Sequence, residues 1–296
     1  MSDSRTKRLI LTCAAGLSVL LVVIIAGKSA FGKRMDKETE SCPVPVNLNE
    51  TLTNEMSDTS CLAGFDKIVK DYLTYWGIHG ASLSVMRNDS LLFAKGYGEA
   101  DTDKKMGPGN ILRMASVSKL VTAVGIMVLQ ERGLLSIKDH VFGPDGILND
   151  SAYVAAIKDT LYNRITVEDL LRHKGGFSKR GGDPMFSTRW IMMQNGWKEV
   201  PTQEQLMELQ LKRRVKFVPG TAQEYSNFGY LALSMVIEKV SGMDYETFMQ
   251  ENVLRPIGCV DFHIAGNYYK HKLPNETRYY VQHDDEPAEE FNNSGR

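Results

Sequence analysis

The chain has 296 residues, of which 43% are hydrophobic and 24% are charged, so it can bury a sizeable core in one or two domains. Its 35 Lys and Arg residues nearly balance 36 Asp and Glu residues, and the net charge is −1. No basic stripe is present. Because binding to phosphate backbones requires clustered positive charge, a nucleic-acid partner is not expected.

The N-terminal segment differs from the rest of the chain. Three basic residues precede an uncharged apolar run, Leu9 to Gly27, which as a helix would span roughly 28 Å, close to the hydrocarbon thickness of a bilayer. The run is longer than the apolar region of most cleavable signal peptides, and residues 28–30 form a poor cleavage site. We therefore predict that residues 1–27 form a transmembrane signal anchor. A cleaved signal is the alternative.

A polar segment follows this run. Residues 28–61 show no periodicity and are predicted to link the anchor to a folded domain of residues 62–296. Within this linker, Cys42 and Cys61 would pair if the domain lies in an oxidising compartment, and free thiols fit the sequence equally well. No CxxC or HxxxH pair is present, so a structural zinc site has no support. We expect neither a metal nor a cofactor.

The folded part is predicted to begin with a helix and a hairpin. Apolar residues recur at helical spacing from Leu62 to Trp76, and Gly77 follows as a stop signal. The apolar runs 81–86 and 91–97 are separated by a short polar stretch. Two such runs joined by turn-forming residues predict a β-hairpin.

Helical patterns dominate the rest of the chain. Residues 116–132 are apolar nearly all round, which predicts a helix in the middle of the protein. Shorter helices are predicted over residues 166–171, 203–211, 228–240 and 244–253. Thr166 and Asp244 are suitable caps for the first and last of these.

The first candidate for catalysis is the pair Ser116 and Lys119. Their spacing of three places both side chains on one face at the start of the predicted central helix. A serine hydroxyl needs a nearby base to act as a nucleophile, and a lysine amine is such a base when neutral, which burial favours. On this motif alone, a helix cap followed by a surface lysine is the simpler interpretation.

A second motif changes the interpretation. Tyr225-Ser226-Asn227 leads directly into the apolar helix at Phe228. S-x-x-K followed by Y-x-N resembles the serine β-lactamase-like superfamily, in its class C β-lactamase and penicillin-binding-protein-like D-peptidase and esterase branch. The resemblance runs from about Gly80 to Gly258 and includes the segments 80–101, 129–136, 165–173, 217–220 and 256–258. Residues 178–197 match nothing in that pattern.

The resemblance implies an α/β fold, in which an antiparallel sheet packs against helices, together with a helical subdomain. It also implies that Ser116 attacks the carbonyl of a β-lactam, a D-amino-acid peptide or an ester, while Lys119 and Tyr225 share the proton transfers. Asn227 would bind Lys119 or the substrate amide, and the Ser116 N–H would form half of an oxyanion hole. His173 is interpreted as structural. Alternatively, Tyr225 is a core aromatic and Asn227 a helix N-cap.

One element of the family pattern is not found. A third motif, K-T-G or H-x-G, should follow Tyr225 by many tens of residues, and residues 228–296 contain neither. The strand that carries it supplies a second oxyanion donor, and loss of one such donor typically lowers turnover about 100- to 1000-fold. Three interpretations follow: a fragment of a longer enzyme, an inactive binding or assembly protein, or a chain completed by a partner's strands.

The leading prediction is a serine hydrolase that acts through an acyl-enzyme on a small-molecule or peptide substrate. The alternative is a catalytically impaired, membrane-tethered binding or assembly protein. In both cases we expect a single-pass membrane protein with its domain outside the cytoplasm, or a secreted protein if the N-terminal segment is cleaved.

Overall fold

The computed structural model describes residues 52–58, 63–179, 183–266 and 269–280. The predicted anchor, most of the predicted linker and the Cys42–Cys61 pair lie outside these residues. Within the described ranges, no helix has both the length and the apolar character needed to cross a membrane. The chain divides into two compact units. Of the described residues, the first unit comprises those up to Asn110 together with Asn275–Arg278. The second comprises those from Ile111 to Pro274 together with Tyr279 and Tyr280.

The first unit contains a helix and a small antiparallel sheet. Its elements are α1 (Ala63–Trp76), β1 (Gly80–Arg87), β2 (Ser90–Asp101) and β3 (Lys104–Lys105). The strands are ordered β1-β2-β3, and β2 pairs antiparallel with both neighbours. Asn88 and Asp89 join β1 to β2 with φ of 49° and 60°, the left-handed conformations that a two-residue hairpin turn requires. The predicted helix and hairpin are both confirmed.

The end of the segment predicted as a linker packs onto this sheet. Residues Asn54–Ser57 form a 3₁₀ helix, and the Ser57 side chain is buried. Its hydroxyl donates to the Ala94 carbonyl and accepts from the Ala94 N–H, both at 2.9 Å. The folded part of the chain therefore begins before α1.

The second unit is built from helices around one apolar core. Its α-helices are α2 (Ser118–Glu131), α3 (Ser151–Ala156), α4 (Val167–Leu171), α5 (Thr188–Asn195), α6 (Gln203–Leu211), α7 (Asn227–Ser241) and α8 (Tyr245–Met249). A π-helical segment, Gln250–Leu254, continues α8. Residues of α2, α6 and α7 share the core with Phe142, Tyr162 and Phe177.

The helix starts follow the predicted caps, with one correction. Thr166 and Asp169 form a reciprocal capping box on α4, and the Asp244 side chain caps α8. Helix α7, however, is capped by Ser226, whose hydroxyl accepts the Gly229 N–H at 3.1 Å. The alternative that Asn227 is the N-cap is therefore wrong, and its side chain is free for other contacts.

Helix α2 is not enclosed on all sides, which corrects a second expectation. A 3₁₀ turn, Ala115–Val117, precedes it, and one face of the helix packs in the core through Ile126 and Leu129. On another face, Leu120, Val124 and Met127 are exposed by 67%, 42% and 45%. Apolar composition indicates how much of a helix can be buried, but not which neighbour buries each face.

Candidate active site

Ser116 lies in the turn that begins α2. It is exposed, and the residue before it, Ala115, adopts a φ of 45°. A left-handed alanine costs of order 1–3 kcal/mol and persists where the surrounding structure enforces it, often at functional sites. The Val117 N–H closes the turn on the Met114 carbonyl at 3.0 Å. The strained turn thus presents the serine hydroxyl to solvent at the head of the helix.

The two predicted proton carriers both reach this hydroxyl. The Tyr225 hydroxyl donates to Ser116 Oγ at 2.7 Å, across a sequence separation of 109 residues. Lys119 Nζ lies 3.4 Å from the same oxygen. Lys119 is in the first turn of α2 and Tyr225 directly precedes the cap of α7, and these two helices pack together in the core. The packing of α2 against α7 therefore brings the motifs together.

Lys119 is held by an amide and two aromatic rings. Its Nζ lies 2.8 Å from Asn227 Oδ1, and 4.9 Å and 5.6 Å from the ring centres of Tyr225 and Tyr230. The Lys119 side chain is half-buried. The apolar composition of the helix led us to expect a buried lysine, and this burial is only partial. The structure thus brings together all four residues selected from the sequence: Ser116, Lys119, Tyr225 and Asn227.

His173 supports the backbone around Tyr225. Its Nδ1 accepts the Ser226 N–H at 3.2 Å, its carbonyl accepts the Glu224 N–H at 2.9 Å, and its ring centre lies 4.5 Å from that of Tyr225. An Nδ1 that accepts is unprotonated, so the neutral ring carries its proton on Nε2. Burial, followed by the positive charge of Lys119, lowers the pKa of His173. These contacts fit a supporting residue rather than the base.

The lowered pKa of His173 predicts a loss of stability in mild acid. Below the ordinary histidine pKa of 6.5 the unfolded chain takes up a proton that the folded chain resists, so the free energy of unfolding should fall as the pH drops from about 6.5. Urea midpoints at pH 7.5 and pH 5.5 measure this. His173→Asn should reduce the pH-dependent difference, and an unchanged difference would show that His173 does not cause it.

Asp183 is a site residue that the sequence analysis missed. Asn227 Nδ2 donates to Asp183 Oδ2 at 3.2 Å, so a line of contacts runs from Asp183 through Asn227 to Lys119. Asp183 belongs to the segment 178–197 that matched no family pattern. The only local signal for it is a turn composition, Gly181-Gly182-Asp183-Pro184.

A second missed contact lies before the nucleophile turn. The Arg113 N–H donates to the Tyr279 hydroxyl at 2.8 Å, and the Arg113 guanidinium lies 4.8 Å from the Tyr279 ring centre. Its Nη2 also donates to the Gly266 carbonyl at 2.6 Å. The polar C-terminal part of the chain therefore supports the segment that leads to Ser116.

The comparisons with known proteins agree with this arrangement. Serine β-lactamase and transpeptidase-like proteins share this arrangement, in which a serine and a lysine lie one helical turn apart and a tyrosine and an asparagine lie at the start of a second helix. The Beta-lactamase family model matches residues 65–294, and the chain belongs to that family. The fold is the α/β fold of that superfamily, with an antiparallel sheet and helices.

Individual relatives are distant. The chain is 25% identical over 188 residues to Penicillin-binding protein 4* of Bacillus subtilis (strain 168), covering 63% of this chain and 37% of the relative. It is 23% identical over 234 residues to a protein named Putative D-alanyl-D-alanine carboxypeptidase of Escherichia coli O157:H7, covering 74% of this chain and 49% of the relative. The chain thus spans less than half the length of these relatives. The solved D-amino acid amidase of Ochrobactrum anthropi SV3 matches with a TM-score of 0.58 and 22% identity, over 77% of this chain and 62% of that chain.

Proposed function

We propose that the protein is a serine hydrolase that cleaves an amide or ester bond through an acyl-enzyme on Ser116. The observation that carries the proposal is the approach of Tyr225 and Lys119 to one serine oxygen, at 2.7 Å and 3.4 Å. A serine hydroxyl between a proton donor and an amine has the activation that nucleophilic catalysis requires.

The contacts support a role for each group. Because the Tyr225 hydroxyl donates to Ser116 Oγ, the serine proton needs a different acceptor. Lys119 Nζ, 3.4 Å away, provides one after it has released a proton of its own and gained a lone pair. Oγ then bonds to the substrate carbonyl carbon. The tetrahedral intermediate collapses as the leaving group departs with the Tyr225 proton, and the Lys119 proton returns to Tyr225. Water activated by the same pair hydrolyses the ester and frees Ser116.

Turnover of a substrate panel tests this function. We propose β-lactams, D-amino-acid amides and short esters as substrate classes, since all three present a carbonyl to an exposed serine. Hydrolysis by the full chain that disappears in Ser116→Ala, with an unchanged melting temperature, supports the proposal. Hydrolysis that persists in Ser116→Ala contradicts it, as does a folded chain that neither turns over nor becomes acylated.

We further propose that residues 1–27 tether this unit to a membrane, with the folded part outside the cytoplasm. The support is the length and uniformity of the uncharged run Leu9–Gly27. The full chain should stay with membranes in alkaline carbonate. The double variant Leu20→Arg/Val23→Arg should leave them, because each charge near the bilayer centre costs about 2.5–3.5 kcal/mol on insertion scales. Equal retention of both proteins would contradict the tether.

A further inference from the structure

We propose that Asp183 is a positioning residue that fixes the orientation of the Asn227 amide and thereby keeps the lone pair of Lys119 available to Ser116. The proposal rests on the assignment of Lys119 as the base. It gives a role to the segment 178–197, which the family pattern does not explain.

Asp183 accepts hydrogen bonds with both of its carboxylate oxygens. Oδ1 accepts the Met185 N–H at 2.9 Å, and Oδ2 accepts from Asn227 Nδ2 at 3.2 Å. An ionised carboxylate has only acceptors, so the amide group that faces it must be the NH₂ group. The orientation of the Asn227 amide is therefore set by Asp183.

This orientation determines what Lys119 meets on the other side of the amide. With Nδ2 towards Asp183, Oδ1 faces Lys119 Nζ at 2.8 Å and accepts one of its N–H groups. The lone pair of the neutral amine is then free to point at Ser116. If the amide reversed, its N–H would donate into that lone pair and occupy the base.

The Asp183 backbone is itself held in place. Its carbonyl accepts the N–H groups of Phe186 and Ser187 at 3.0 Å and 2.8 Å, and this turn leads into α5. The side chain is half-buried rather than free on the surface. A carboxylate fixed by a turn can impose one orientation on its partner without moving during the reaction.

Asp183→Asn distinguishes this role from a purely structural one. The variant is nearly isosteric, and its Oδ1 can still accept the Met185 N–H. Its second group is then an NH₂, which reverses the Asn227 amide. Asp183→Ser is the matched control, because a serine hydroxyl can accept the N–H two residues on but is too short to reach Asn227.

We expect Asp183→Asn to lower the Ser116 acylation rate constant about 100-fold, since an occupied base loses much of the 10²–10⁴-fold that general-base catalysis contributes. Asp183→Ser, in which the amide adopts both orientations, should lose about 10-fold. The substrate concentration that gives half-maximal acylation should stay within about threefold of the wild-type value in both variants. If Asp183→Asn keeps wild-type acylation, or retains more activity than Asp183→Ser, the carboxylate serves only the turn.

Neutron diffraction gives a readout that does not require activity. Nitrogen with its deuterons is distinguished from oxygen, so the orientation of the Asn227 amide is seen directly. The deuterons should face Asp183 in the wild-type full chain and Lys119 in Asp183→Asn. The same orientation in both would overturn the inference. Failure of the wild-type chain to acylate, by contrast, overturns the proposed function. The orientation of the Asn227 amide is still decided by neutron diffraction, independently of activity.

Discussion

Lys119→Met should lower the Ser116 acylation rate constant about 1000-fold, within the range that a general base contributes. Methionine has a similar length and keeps apolar packing between the Tyr225 and Tyr230 rings, but it has no lone pair basic enough to accept the serine proton. Substrate binding should change little. Stopped-flow acylation over a range of substrate concentrations separates the two effects.

A matched control for this variant is Lys239→Met. Lys239 lies on α7 and pairs with Asp150 on the surface, so its replacement removes a lysine charge without touching the serine. It should acylate at the wild-type rate. Wild-type acylation by Lys119→Met would show that Lys119 is not the base and would transfer that role to Tyr225.

Tyr225→Phe should lower kcat/KM for an amide substrate about 100-fold. The change removes the hydroxyl that lies 2.7 Å from Ser116 Oγ, but keeps the ring beside His173 and Lys119. An amine leaving group needs a proton, whereas a nitrophenolate does not. The loss should therefore be several-fold smaller for a nitrophenyl ester than for a nitroanilide.

Tyr230→Phe controls for the loss of a phenol near Lys119. The Tyr230 ring also lies beside the lysine, but its hydroxyl donates to the Leu171 carbonyl at 3.2 Å. Tyr230→Phe should therefore lower kcat/KM equally for the nitroanilide and the nitrophenyl ester, and by no more than about threefold. An equal loss for both leaving groups in Tyr225→Phe would contradict the role of Tyr225 as the acid.

The sequence predicts the core of this site because its signals are local. Ser116 and Lys119 are one helical turn apart, so their spacing alone places them together. Ser226 has extended backbone angles, with φ −137° and ψ 123°, so Tyr225 and Asn227 project to the same side while Ser226 caps α7. The motif Y-x-N thus combines two site residues with the cap of the helix that carries them.

The contacts that the sequence does not predict are long-range. Asp183 reaches Asn227 across 44 residues, and Tyr279 reaches Arg113 across 166 residues. Neither belongs to a periodic pattern, and a turn composition such as Gly-Gly-Asp-Pro indicates a turn but not its neighbour. The sequence does not predict the exposed face of α2 for the same reason. Leu120 and Leu129 are equally apolar, but only Leu129 is fully buried, because burial depends on which distant residues pack against each face.

Trapping of the acyl-enzyme would identify Ser116 as the nucleophile. The full chain is incubated with a β-lactam and, separately, with a fluorophosphonate, quenched in acid, and analysed by intact and peptide mass spectrometry. We expect one added acyl or phosphonyl group on the peptide that contains Ser116, and none in Ser116→Ala. A folded chain that stays unmodified by both reagents, or that carries the group on another residue, would contradict it.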